Sequence, residues 1–170
     1  NPRAESNLGQ CRAPNPRRRH CLQLLAAIGC AGVAGPGAVH AAAYPVTADA
    51  MKEAREYETR VYYHYTEFGK RAREEGYRGI AYLFLAFAAS EQVHASNFGR
   101  VLTRLGEELA PLPKPAVGVA STRDNLILAA NGEMASIDGF YPGLLARISG
   151  EKHADAIDAV RRLNRDDAVD

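Results

Sequence analysis

Glu91 and His94 stand three residues apart in a segment whose apolar residues recur at helical spacing. The series Ile80, Phe84, Phe87, Glu91, His94, Phe98, Val101, Leu105 steps by four and three, so its members share one helix face. Six of the eight are apolar, which makes that face the one turned to the core. A carboxylate buried alone among such neighbours is costly and tends to take up a proton. A metal ion removes the cost by placing opposite charge at bonding distance.

A second acidic residue falls on a second apolar stripe. Met51, Ala54, Glu58, Val61, Tyr65, Phe68 and Ala72 share the same stepping, so Glu58 also faces inward. Arg73-Glu74-Glu75-Gly76-Tyr77 reads as a helix end with glycine at the cap. Glu58 and Glu91 are 33 residues apart, and their midpoint falls at Glu74–Glu75. Two antiparallel helices joined there each run about 16 residues, roughly 25 Å, before reaching a glutamate. The two carboxylates are therefore expected level with each other.

The second half repeats the design. Leu126, Ala130, Glu133, Ile137, Phe140, Leu144 and Ile148 form a third stripe, and Ala156, Val160, Leu163, Asp167 and Asp170 a fourth, about a breaker at Ser149-Gly150. Asp167 mirrors Glu133 across Gly150, so Asp167 and Asp170 are candidate ligands, with a solvated helix end as their alternative. Tyr65 follows Glu58 by seven residues and Tyr141 follows Glu133 by eight, and each places a phenol beside the acids. His64 and His153 are expected at the surface. The proline-rich run Pro111 to Pro115 cannot be helical and makes residues 110–120 a crossover linker. Ser121 or Thr122 can cap the third helix, with Asp124 in its first turn. Pro142, inside the third helix, is expected to bend it. The fold class that results is all-α, a four-helix bundle with one long crossover between the second and third helices. By symmetry the fourth helix stops some ten residues short of its partner, so it is expected to be truncated. Carboxylates and imidazole together suit iron or manganese.

From about residue 47 to 165 the chain resembles the rubrerythrin family of the ferritin-like superfamily. The resemblance rests on Glu58 with Tyr65, Glu75-Gly76-Tyr77, Ala81 to Phe84 leading into Ser90-Glu91-Gln92-Val93-His94-Ala95, Asp124-Asn125-Leu126 running to Gly132-Glu133, and Tyr141-Pro142. It implies a ferritin-like bundle over residues 47–170 that binds two iron ions, with Glu58, Glu91, His94 and Glu133 as ligands. It also implies reduction of hydrogen peroxide to water, and pairing into homodimers. Three departures stand out. The family's second Glu-x-x-His, on the fourth helix, is absent; many members have a further glutamate where this chain has Ser136; and there is no rubredoxin-like domain. Such a domain needs two Cys-x-x-Cys pairs, and the three cysteines Cys11, Cys21 and Cys30 lack that spacing. Electrons are then expected from a separate donor. Tyr65 and Tyr141 are candidate hydrogen-bond donors to the peroxide or to a ligand. The alternatives are ferritin-like iron oxidation and storage, a manganese disproportionation needing no external electrons, and a metal-binding bundle without catalysis.

Residues 1–43 read as an export leader. Arg17-Arg18-Arg19 precedes a mainly apolar run from Leu22 to Val33, with Val39-His40-Ala41 or Ala41-Ala42-Ala43 as the cleavage site. Paired arginines before a modest apolar stretch point to the twin-arginine export machinery and a periplasmic destination. Ala27-Ile28-Gly29-Cys30 offers the variant of a lipid anchor on Cys30. The apolar run is too short for a spanning helix, which needs about 20 residues. Removing residues 1–41 takes away five arginines and one glutamate and turns the formal charge from +1 to −3. A mildly acidic domain gives no basic face for nucleic acid.

Overall fold

The computed structural model describes residues 43–166. The leader with its arginines and Cys30, and at the other end Asp167 and Asp170, lie outside the described residues. Helix α1 spans Pro45–Glu74 and α2 spans Arg78–Arg104. The third rod consists of α3 (Thr122–Ala135), a π-helical turn (Ser136–Phe140) and α4 (Tyr141–Ile148). Helix α5 spans Ala154–Asp166. Among the described residues all regular structure is helical, and no helix is long and apolar enough to cross a membrane. The four rods form the expected all-α bundle, with the long crossover at residues 105–121 between α2 and α3.

Each turn is closed by identifiable chemistry. After α1, Gly76 adopts φ +87°, while Gly76 N–H bonds Arg73 O at 3.1 Å and Tyr77 N–H bonds Ala72 O at 2.8 Å. This Schellman arrangement needs a left-handed residue, which is why glycine stands there. The same pair of bonds follows α2, around Gly106 at φ +83°. Ser121 caps α3, accepting from Asp124 N–H at 3.2 Å, and Asn125 exchanges two bonds with the backbone of Ala120. Arg55 donates to Ala110 O at 3.1 Å and ties the crossover to α1. The α4–α5 turn caps another helix: Glu151 accepts from Val46 N–H at 3.0 Å and Thr47 N–H at 2.8 Å. His153 is half-buried rather than surface, with Nδ1 accepting from Ala156 N–H at 3.3 Å in the first turn of α5.

The core has two apolar clusters. One joins Met51, Phe98, Leu102, Leu105, Tyr141, Leu144, Ile148, Val160 and Leu163 from α1, α2, α4 and α5. The other joins Tyr65, Phe68, Ala72, Phe84 and Ala88 of α1 and α2 with Ala129 of α3. Burying each large side chain contributes about 1.5–3 kcal/mol. On α1 and α2 the buried positions follow the predicted stripes, with Val61, Ile80 and Phe87 only partly covered.

The third stripe needs correction. On α3 the buried residues are Thr122, Asn125 and Ala129, not Leu126 and Ala130, whereas Tyr141, Leu144 and Ile148 are buried on α4. The π-helical turn explains the slip. It adds a residue to the turn, with Tyr141 N–H reaching back to Ser136 O. The inward phase of α4, carried backward at the ordinary helical period, therefore lands one residue off on α3. Pro142 follows at the start of α4, where a missing N–H costs little. The expected bend is a local widening.

Two outcomes follow from the turns. Gly76→Ala, forced into the left-handed region, should lower stability by about 1 kcal/mol in denaturant unfolding; an unchanged midpoint would contradict the cap geometry. For Glu151, burial pushes the carboxyl pKa up, and the bonds from Thr47 and Val46 outweigh it and hold it below the usual carboxylate range. A depressed acid stabilises the fold above its unfolded pKa, and the contribution disappears as pH falls through the folded value. Glu151→Gln should flatten that acid limb of the stability profile; an identical profile in the variant would remove Glu151 from the cap.

Candidate metal centre

Glu58, Glu91 and His94 occupy the layer between the two apolar clusters. On α1 that layer falls between Ala54 and Tyr65, and on α2 between Ala88 and Phe98. The stripes bring all three side chains inside: Glu58 is 0 % exposed, Glu91 7 % and His94 8 %. One donor atom from each lies within 4.8 Å of the others. His94 Nδ1 stands 3.2 Å from Glu91 Oε2, and Nε2 stands 3.3 Å from Ser90 Oγ. Ser90 lies one turn back on the same helix and steadies the ring, as a residue outside the ligand set orients an imidazole.

Glu133 of α3 completes the acidic lining from the third rod. It is partly buried and faces the same cavity of about 190 Å³ as Glu58 and Glu91. A second cavity of about 360 Å³, between α2 and α3, is also bounded by Tyr65, Glu91, Ala129 and Glu133, so those four form the partition. Two phenols hold the acids. Tyr65 donates to Glu133 Oε1, and Tyr141 donates to Glu58 Oε1 at 3.1 Å. Burial pushes the Tyr65 phenol up, as do its bond to Glu133 and the charges of Glu133 and Glu91, so it stays protonated and remains a donor.

Three carboxylates facing one small cavity, with the His94 imidazole against one of them, fit a cationic guest. Like charges brought this close repel, and burial raises the cost of each. Hard oxygen donors with an imidazole match iron or manganese. A spread of 4.8 Å is one that a single ion, or a pair about 3.5–4 Å apart, can bridge.

Of the sequence-predicted residues, the structure brings together Glu58, Glu91 and His94, places Glu133 beside them, and sets Tyr65 and Tyr141 on the acids. Asp167 and Asp170 lie outside the described residues. His64, expected at the surface, is half-buried and lines the cavity, its ring stacked on Phe68 at 5.8 Å. Burial and the Arg60 charge hold its pKa below that of an ordinary histidine, which favours the neutral imidazole. Tyr57 and Ser136 were not singled out as site residues. Ser136 is 2 % exposed and bonded to the Tyr57 hydroxyl. Tyr57 flanks Glu58 and belongs to no stripe, so periodicity carries no sign of it. Ser136 opens the π-helical turn, a feature that a helix-period reading does not contain.

Comparison with known proteins agrees with this geometry. The family model described as Rubrerythrin matches residues 49–168. Nigerythrin from Nitratidesulfovibrio vulgaris is 33 % identical over 126 residues, covering 72 % of this chain and 61 % of that protein. Rubrerythrin-2 from Clostridium acetobutylicum is 34 % identical over 112 residues, covering 65 % of this chain and 61 % of that protein. The chain thus spans about three-fifths of the length of the curated relatives it matches. Solved structures of nigerythrin superpose on it. The mixed-valent state does so with TM-score 0.67 at 31 % identity, over 72 % of this chain and 60 % of that one. The fully reduced, all-ferrous state gives 0.65 at 32 % identity, over 72 % and 61 %. With the bundle, the buried acids and these matches together, the chain belongs to the rubrerythrin family of ferritin-like di-iron proteins.

Proposed function

We propose that the domain is a non-haem di-iron oxidoreductase that reduces hydrogen peroxide to water. The observation that carries the reading is the convergence of Glu58, Glu91 and His94 in a buried layer with Glu133 alongside. Glu58, Glu91, His94 and Glu133 would hold the irons through carboxylate oxygens and an imidazole nitrogen. Two irons, when bound, supply the two electrons that, with two protons, convert one peroxide to two waters. Manganese fits the same donors.

The chain's own residues do the rest. Tyr65 and Tyr141 fix Glu133 and Glu58 through their O–H groups, so the carboxylates keep their orientation when an ion binds or leaves. The apolar clusters bound the layer on either side. Residues 43–166 contain no cysteine, so electrons reach the bundle from a donor outside it. Exposed Tyr82, Val93, Ile127, Leu128 and Met134 support pairing into a homodimer. The arginine run and its apolar sequel support export by the twin-arginine route, with Cys30 as a lipid-bearing alternative.

Iron-loaded protein supplied with an electron donor should consume peroxide, and Glu91→Ala should lose bound iron together with more than about a hundredfold in turnover. Metal analysis and stopped-flow mixing of the ferrous form with peroxide check both. Retained turnover in the variant would contradict the ligand role. Slow peroxide reaction, with iron mineral accumulating in a large cage, would favour storage instead.

A further inference from the structure

Three phenols line the 190 Å³ cavity, and one of them differs from the others in what it holds. Tyr65 and Tyr141 donate to carboxylates, Glu133 and Glu58. Tyr57 bonds instead to a neutral group, the Ser136 hydroxyl. Ser136 donates its single proton to Gly132 O at 3.0 Å. The phenol must therefore be the donor in the Tyr57–Ser136 bond. The ring is held independently of its hydroxyl. Phe140, at the far end of the same π-helical turn, stacks on it at 4.3 Å and 27°, and the Arg60 guanidinium lies 5.3 Å from its centroid.

A hydrogen bond to a carboxylate is about twice as strong as one to a neutral oxygen. Turning the Tyr65 or Tyr141 O–H toward a new partner strips a charged acceptor. Turning the Tyr57 O–H away from Ser136 gives up only a neutral one, and the stacked ring need not move. We propose that Tyr57 is the substrate-facing phenol of the cavity, redirecting its O–H from Ser136 to an oxygen of the bound peroxide, while Tyr65 and Tyr141 serve the ligands. Ser136 is the resting acceptor that stores the proton in an aimed position. The inference rests on the peroxide reading, because the substrate it names is the one proposed above.

The test uses iron-loaded full-length protein and sodium azide, a small anion that accepts hydrogen bonds as a peroxide oxygen does. Tyr57→Phe should weaken azide binding, followed by its visible absorption, about tenfold and raise KM for hydrogen peroxide similarly, with iron content and Tm unchanged. Ser136→Ala, which keeps the phenol, should hold azide affinity within about threefold. Tyr77→Phe, at a position 54 % exposed, is the control. Unchanged azide affinity in Tyr57→Phe would overturn the proposal, as would a fall in Tm with binding intact, which marks a structural pin. An equal loss in Ser136→Ala would overturn it too. If wild-type protein does not turn over peroxide, the peroxidase reading fails by itself, and the azide arm still reports on Tyr57.

Discussion

Acidic side chains enclosed at mid-height between two apolar clusters set the terms for everything else in this bundle. Glu58 is fully buried, Glu91 nearly so, and Glu133 reaches the same cavity from a third helix. Carboxylates do not gather in a low-dielectric interior unless something offsets their desolvation and mutual repulsion. Here the phenols of Tyr65 and Tyr141 offset part of it with hydrogen bonds, and His94 adds an imidazole against Glu91. A bound cation offsets the remainder. The apolar clusters above and below supply the folding free energy that makes so polar a layer tolerable.

The rods deliver these groups to one level by different means. Between α1 and α2 it is near-symmetry about a glycine turn: Gly76 closes the hairpin, and Glu58 and Glu91 meet because the midpoint between them, Glu74–Glu75, lies at that turn. On the third rod it is a change of phase. The π-helical turn at Ser136–Phe140 lets α3 present Ala129 and Glu133 while α4 presents Tyr141 and Leu144. In an unbroken α-helix the phase of α4 carried back falls on Ala130, whereas the residue buried here is Ala129. The same widened turn places Ser136 against the Tyr57 hydroxyl and Phe140 against its ring.

Much of this was readable in advance. The stripes through Glu58 and through Glu91 and His94 reach the core as predicted, because a single helical period runs unbroken along α1 and α2. The turn at Gly76, the Ser121 cap and the proline-rich crossover follow from residue types whose backbone preferences are strong. The third helix was read one residue out of phase upstream of Phe140, since nothing in a hydrophobic pattern marks an inserted residue. Glu133 still faces the cavity because it stands four residues after buried Ala129 and three before buried Ser136, a position that both phases turn inward. Tyr57 falls on no stripe and His64 is expected at the surface, yet both line the cavity from beside the stripe, where burial depends on the neighbouring rod and not on period.

The decisive observation is where iron binds. Diffraction from iron-loaded crystals at the iron absorption edge should give anomalous peaks in the buried layer, in bonding contact with the carboxylates of Glu58 and Glu91 and with a ring nitrogen of His94. Peaks confined to the protein surface, or an empty layer in protein shown by metal analysis to carry iron, would contradict the assignment of these residues as the metal-binding set.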